Sequence, residues 1–347
     1  MTVRSFATAL AALALATVPL AASAAGQPRY KLVRTTPLGA PDRWDYLTFD
    51  PASHRVYVAH ADRLTVIDGR SGAVLGEVTG IAGGTHGIGL SAGKGYTDDG
   101  RAGVAVAFDP QTFRVLARVP AQPDADGITV EPKTGHVFVA DGDSGKLTVI
   151  DPHTDKVVAT VDGGGGLEFV VADGDGKIYV NGAEKREMVR IDARTNAVDA
   201  RWPIPKCESP HGLAIDPATH RLFVSCVNKL LIVLNSQNGS VVATLPIGAG
   251  SDAVAFDPSH RRVFSSNGDG TLTVISAMTP NSYAVLETLK TQVTGRTMTV
   301  DPQTGRLYLA AASIDTAAPV PTGVGGRPGR PPLKPGSLSL LIYDPVP

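Results

Sequence analysis

Seven ionisable residues recur along this chain at nearly even intervals: Asp45, His86, Asp126, Glu168, His211, Asp252 and Arg296. Successive members lie 41, 40, 42, 43, 41 and 44 residues apart. Imidazoles and carboxylates converging on one axis are the donors that hold a divalent ion such as zinc, manganese or calcium. The same set can act as acid and base on a bound substrate, with Arg296 holding an anionic group. The competing explanation is a wet rim, where polar side chains cost little and Asp252 simply pairs with Arg296. Two residues after each member the chain turns apolar, at Leu47, Ile88, Ile128, Val170, Leu213, Val254 and Met298. The polar set therefore stands where an apolar strand begins.

A second series follows five residues behind the first: Asp50, Ser91, Glu131, Asp173, Asp216, Asp257 and Asp301. Several of these open an Asp-Pro turn, in which Pro presets φ and Asp accepts backbone hydrogen bonds. A third series, Asp68, Asp109, Asp151, Asp192, Asn235, Ser276 and Asp344, keeps the period until its last interval of 68 residues. Between these markers lie β-branched and aromatic clusters such as Val56-Tyr57-Val58, Val137-Phe138-Val139 and Leu222-Phe223-Val224. They read as strands, and no stretch keeps a 3.6-residue apolar period. Four strands in a unit of about 42 residues is the arithmetic of a propeller blade. The expected fold is all-β: a seven-bladed β-propeller with four antiparallel strands per blade. The last unit ends after its third strand, while Tyr30 to Thr35 resembles Lys156 to Val161, the fourth strand of an earlier unit. That N-terminal strand is expected to complete the last blade and close the ring.

Val56-Tyr57-Val58-Ala59, Val137-Phe138-Val139-Ala140 and Ile178-Tyr179-Val180-Asn181 also resemble the eponymous motif of the YVTN-repeat, YncE-like β-propeller family. The likeness covers nearly all of the chain after residue 24. It implies a propeller of largely extracytoplasmic kind. Some relatives carry lactonase-like names and one binds single-stranded DNA, properties that a shared repeat does not transfer.

The expected domain plan is a signal peptide over 1–24 and a single propeller over 25–347. Arg4, the apolar run Phe6 to Leu20 and Ala22-Ser23-Ala24 form the three parts of a secretory leader. Its removal takes the net charge from −1 to about −2, since one Arg and no acid are lost. A nearly neutral chain with 5% aromatic residues lacks the basic, stacking surface of a nucleic-acid binder. The expected location is the periplasm, the expected state a monomer with no membrane span after cleavage.

In a propeller the loop between second and third strands opens on the same face as the seven-residue set. It adds His60, Asp98, Asp99, Asp141, Asp143, Asn228, Asn267 and Asp269. Most suit hairpin turns; His60 does not, and stands as a further candidate ligand. Cys207 and Cys226 map to this face on the fifth blade, which suggests a disulfide in an oxidising compartment; a Cys/His metal pair or two free thiols are the alternatives. Residues 314–336, rich in Pro and Gly with Arg327, Arg330 and Lys334, form an irregular insertion on the seventh blade. It reads either as a lid or partner-binding arm or as a tolerated surface loop. The glycine run 163–166 precedes no helix, and no nucleophile elbow, zinc-protease or haem motif occurs.

The leading functional expectation is a binding or scaffold protein holding a small molecule, a metal ion or a protein partner at the channel mouth. The alternative is a metal-dependent, lactonase-like hydrolase with Asp45, Glu168 and Asp252 as ligands and His86 or His211 as acid or base. Single-stranded nucleic-acid binding ranks third.

Overall fold

The computed structural model describes Met1, residues 29–322 and residues 331–346. All but Met1 of the expected leader, together with Arg327 and Arg330, lies outside the described residues. Seven antiparallel sheets of four strands each make up the molecule. Their innermost strands are Leu47–Asp50, Ile88–Ser91, Ala125–Val130, Leu167–Ala172, Pro210–Asp216, Ser251–Asp257 and Thr297–Val300. Blades one to six run consecutively from inside to outside. Blade seven takes its fourth strand from the other end of the chain: Tyr30–Pro37 pairs with Ser339–Pro345, from Tyr30 opposite Pro345 to Pro37 opposite Ser339. Among the described residues the only helical element is a single 3-10 turn, Gly100–Ala102. None contains a helix long and apolar enough to cross a membrane.

The strand chemistry follows from burial on two faces. A middle strand is covered by the blade on either side, so it reads as an unbroken apolar run, as in Val137–Asp141 and Leu230–Asn235. The outermost strands meet solvent, and Ala197–Pro203 alternates between exposed and half-buried positions. The apolar core is accordingly divided into clusters at the joints between adjacent blades. Between blades three and four, Phe138, Leu147 and Val149 meet Ile178, Val180 and Val189. The closing joint is built alike: Tyr308, Leu340 and Ile342 of blade seven meet Phe49, Val56 and Ile67 of blade one. Each such side chain contributes about 1.5–3 kcal/mol on burial.

A polar latch repeats at several of these joints. The second strand of one blade reaches the turn between third and fourth strands of the next. Lys94 Nζ lies 2.6 Å from Asp155 Oδ2, the Tyr179 hydroxyl donates to Ser236 O at 3.1 Å, and Arg221 Nε donates to Pro280 O at 2.8 Å. At the closing joint the Tyr308 hydroxyl donates to Gly69 O at 2.8 Å and Arg306 Nη1 to Arg70 O at 2.9 Å. Blade one is thus locked to blade seven by the same device that joins consecutive blades.

The irregular insertion departs from the sequence reading at its base. Ile314 and Leu333 form an antiparallel bridge, flanked by Asp315 N–Pro332 O and Lys334 N–Ser313 O hydrogen bonds of 2.8 Å each. Proline removes a donor but not a carbonyl, so the strands can stay paired at these points.

Candidate functional site

The seven side chains of the recurrent set lie together at one end of the channel, and backbone irregularity aims four of them. Asp126, Glu168, His211 and Asp252 fall at β-bulges, where the pairing shifts between Ala125 and Ile128, Leu167 and Val170, Pro210 and Leu213, and Ser251 and Ala253. A bulge re-aims a side chain that strict alternation would turn into the sheet. Asp45, His86 and Arg296 stand just ahead of their inner strands instead.

The fourth residue of the YVTN-like motif fixes these segments. In blade two it is Asp98, fully buried, whose Oδ2 accepts from His86 N at 2.9 Å and Gly87 N at 2.8 Å. In blade five Ser225 Oγ accepts from Gly212 N at 3.1 Å. Asn181 Nδ2 donates across to His211 O, and Ser266 Oγ donates across to Arg296 O at 2.6 Å. The glycines that follow ring members are required by close approach. A Cβ on Gly87 would lie 2.3 Å from Asp126 O, and one on Gly212 2.7 Å from Val254 N.

Five ring members satisfy one another or a buried partner. His86 Nδ1 lies 2.7 Å from Asp98 Oδ1, Arg296 Nε 2.5 Å from Asp252 Oδ2, and His211 Nδ1 3.3 Å from Glu168 Oε2 and 3.9 Å from Asp252 Oδ1. Arg296 also lies over the Trp44 ring at 5.4 Å and donates to Trp44 O at 3.3 Å. Asp45 and Asp126 differ. Their carboxylates take no hydrogen bond or ion pair among the described residues, and Asp126 Oδ1 is buried.

The electrostatics record this convergence. Burial, then the charge of Asp252, pushes the Asp45 acid up to about 7 against the pull of His86 and Arg296. Burial, then Asp45, holds Asp126 well above the usual carboxylate range. For His86 burial acts downward, but the hydrogen bond and charge of Asp98, helped by Asp126 and Asp45, raise it to about 10. Burial raises Asp98 to about 6 despite its hydrogen bonds from His86 and Gly87. At neutral pH His86 and Asp98 therefore form a charged pair, and His86 is a cation rather than a base.

Sequence reasoning missed the floor of this cup. Tyr46, next to Asp45, meets Phe169, next to Glu168, with ring centroids 4.5 Å apart at 71°. They come from blades one and four, which are not neighbours, so the contact crosses the axis and blocks the channel below the mouth. Burial and the charges of Asp126, Asp45, Glu168 and Asp252 push the Tyr46 hydroxyl far above its ordinary range. A signal was available: the residue after each ring member is Gly, Ala or Thr in five blades and aromatic in these two.

His60 belongs elsewhere. It is fully buried, with Nδ1 2.8 Å from Thr65 Oγ1 and Nε2 2.7 Å from Pro41 O, and burial lowers its pKa. It holds the chain segment that leads to Trp44 and Asp45. Asp99 accepts from Ala102 N at 3.3 Å, and Asp141 from Thr148 Oγ1 at 2.8 Å, as turn and strand-end residues do. Among the described residues no group of three or more His, Cys, Asp or Glu side chains is arranged to hold a metal ion. Cys207 and Cys226 form a disulfide with a Cα–Cα distance of 5.3 Å, fastening the segment ahead of His211 to its own blade.

A family model described as a domain of unknown function, DUF5074, matches residues 52–212, a little under half of the chain. Two curated relatives, both described as uncharacterized protein YncE, come from Salmonella typhimurium and Salmonella typhi. They are 24% and 23% identical over 197 residues, which is 54% of this chain and 54% of each relative. The chain thus spans about half the length of the curated relatives it matches. Among solved structures, one titled Kuenenia stuttgartiensis Hydrazine Synthase superposes with a TM-score of 0.68 at 14% identity, covering 77% of this chain and 92% of that one. A chain of a structure titled Crystal Structure of Mitotic Checkpoint Complex gives 0.71 at 16% identity, covering 99% of both. At such identities these two establish the fold alone. The chain is a seven-bladed β-propeller, and its repeat, its four-stranded blades and these matches fit a YncE-like propeller family.

Proposed function

We propose that this propeller is an extracytoplasmic binding protein that takes a small polar ligand in the cup at its channel mouth. One observation carries the reading: side chains of one register from all seven blades couple in a single cup, closed beneath by Tyr46 and Phe169. A merely hydrated rim needs no floor and no buried carboxylate without a partner. The Cys207–Cys226 disulfide and the leader-like residues 1–24 support an oxidising compartment. A hydrolytic reading is weaker, because His86 is held as a cation by Asp98 and is a poor base at neutral pH. The test is native mass spectrometry of the purified protein mixed with a small-molecule extract of the source cells. A defined mass should bind the wild type and be lost from an Asp126→Asn, Asp252→Asn double variant. Equal retention by both proteins would place binding away from the mouth and defeat the proposal.

A further inference from the structure

We infer that the cup recognises the ammonium group of a small organic amine, held between the carboxylates of Asp126 and Asp45 above the aromatic floor of Tyr46 and Phe169. The inference rests on the reading that the mouth is a ligand site, and names the class of ligand. It begins from what the other ring members already have. Arg296 neutralises Asp252 at 2.5 Å, His86 is paired with Asp98 at 2.7 Å, and His211 faces Glu168 at 3.3 Å. Asp45 and Asp126 alone are left as acids without a partner; the charge of Asp45 raises the energy of ionised Asp126, and that of Asp252 does the same to Asp45. A buried acceptor atom left unmet, such as Asp126 Oδ1, is a cost to the folded state that a bound donor removes. What satisfies two such acids in one cup is a cation with several N–H donors.

The choice between an ammonium and a metal ion is made by geometry and floor. A structural or catalytic metal takes three or four protein ligands at short range, and no such group occurs among the described residues. An ammonium needs only acceptors at hydrogen-bond distance, which two carboxylates supply. Aromatic faces attract organic cations as well, and Tyr46, which packs on Phe169, lies close enough to Asp126 and Asp45 to feel both charges. Glu168 and Asp252 add negative potential, while His86 and Arg296 are already committed to their own acids.

Cation binding must also displace protons. Asp45 is half-protonated near pH 7 and burial with the charge of Asp45 holds Asp126 well above the usual carboxylate range, in the company of Asp98, Glu168, Asp252, His86, Arg296 and Tyr46. An ammonium favours their ionised forms, so its affinity should rise between pH 6 and pH 8 while the amine itself stays charged.

Isothermal titration of the full-length mature protein with n-propylammonium chloride, with n-propanol as the uncharged isostere and zinc and calcium chlorides alongside, tests the inference. Saturable binding of propylammonium, none of propanol, and a loss of at least tenfold in Asp126→Asn are expected. Asp126→Asn keeps the shape and removes a repulsion, so its melting temperature should not fall; Asp45→Asn provides a second variant with the same expected loss. Propylammonium binding that is indifferent to both substitutions, or saturation by zinc or calcium alone, overturns the amine assignment. If no probe binds while the extract experiment still yields a mouth-dependent mass, the ligand class is wrong and the site stands. If neither gives binding, both readings fall.

Discussion

At the scale of single residues, the pivotal side chain outside the ring is Asp98. Itself without solvent contact, it accepts from two backbone N–H groups and faces the His86 imidazole. Asp98→Ala would leave two backbone donors unmet and a mostly buried imidazolium without its counter-charge. The expected loss is about 3–5 kcal/mol in urea unfolding, in line with breaking a buried ion pair. A loss under about 1 kcal/mol would mean that the pair does not organise blade two. The sequence pointed to His86 but not to its partner, because Asp-Asp-Gly at 98–100 has the composition of a turn. His60 was misleading for the converse reason: an imidazole near a mouth looks like a ligand, whereas two neighbouring oxygens make it a structural strut. Spacing reports where a backbone position lies, and only packing reports what surrounds it.

At the scale of elements, ring closure was legible because Tyr30 to Thr35 resembles Lys156 to Val161, the fourth strand of an earlier unit, and the last repeat lacked one. Removing residues 29–38 would strip the edge of Ser339–Pro345 and uncover Tyr343, which packs in the joint with blade six. The truncated protein should melt at least several degrees lower by circular dichroism; an unchanged melt would contradict strand-mediated closure. The staple on blade five is separable from this. Cys207→Ser with Cys226→Ser should cost about 3 kcal/mol, the usual worth of closing a loop of this length. It should also weaken any mouth ligand, since the fastened segment leads directly into His211. A double variant as stable as the parent by urea titration would reduce the bridge to a spectator. The bulges were not legible: a period of 42 marks the residue but cannot show whether it lies in a loop or in a strand one residue out of register.

At the scale of the molecule, the cup makes stability depend on pH in a definite direction. Asp45 rises to about 7, Asp98 to about 6 and Asp141 to about 7, above the 3.8 of an unperturbed aspartate. The folded state therefore holds protons that the unfolded chain releases, and their stabilising effect is complete below about pH 4 and lost as pH rises through 6 and 7. His86 acts in the same sense over a higher window, its contribution declining from about pH 6.5 upward and gone above about pH 10. Surface acids such as Asp192, held low chiefly by Lys177, work the other way and are lost in strong acid. The protein should thus be more stable at pH 5 than at pH 8, with Asp45 accounting for about 1–2 kcal/mol of the difference after allowing for solvent screening. Urea midpoints at pH 5, 6.5 and 8, repeated in Asp45→Asn, measure this; a midpoint that climbs from 5 to 8 would reverse the sign.

The seven ring residues have one more consequence. A propeller frame repeats itself about its axis and by itself offers a visitor no reason to face one way rather than another. Here the residues run Asp, His, Asp, Glu, His, Asp, Arg around the rim. Arg296, paired with Asp252, and His86, paired with Asp98, stand on either side of Asp45 on one arc, and Glu168 of the fourth blade lies across from it. The backbone supplies a round dial, and the side chains mark its hour: a polarised guest can settle only with its own dipole aligned to that fixed bearing.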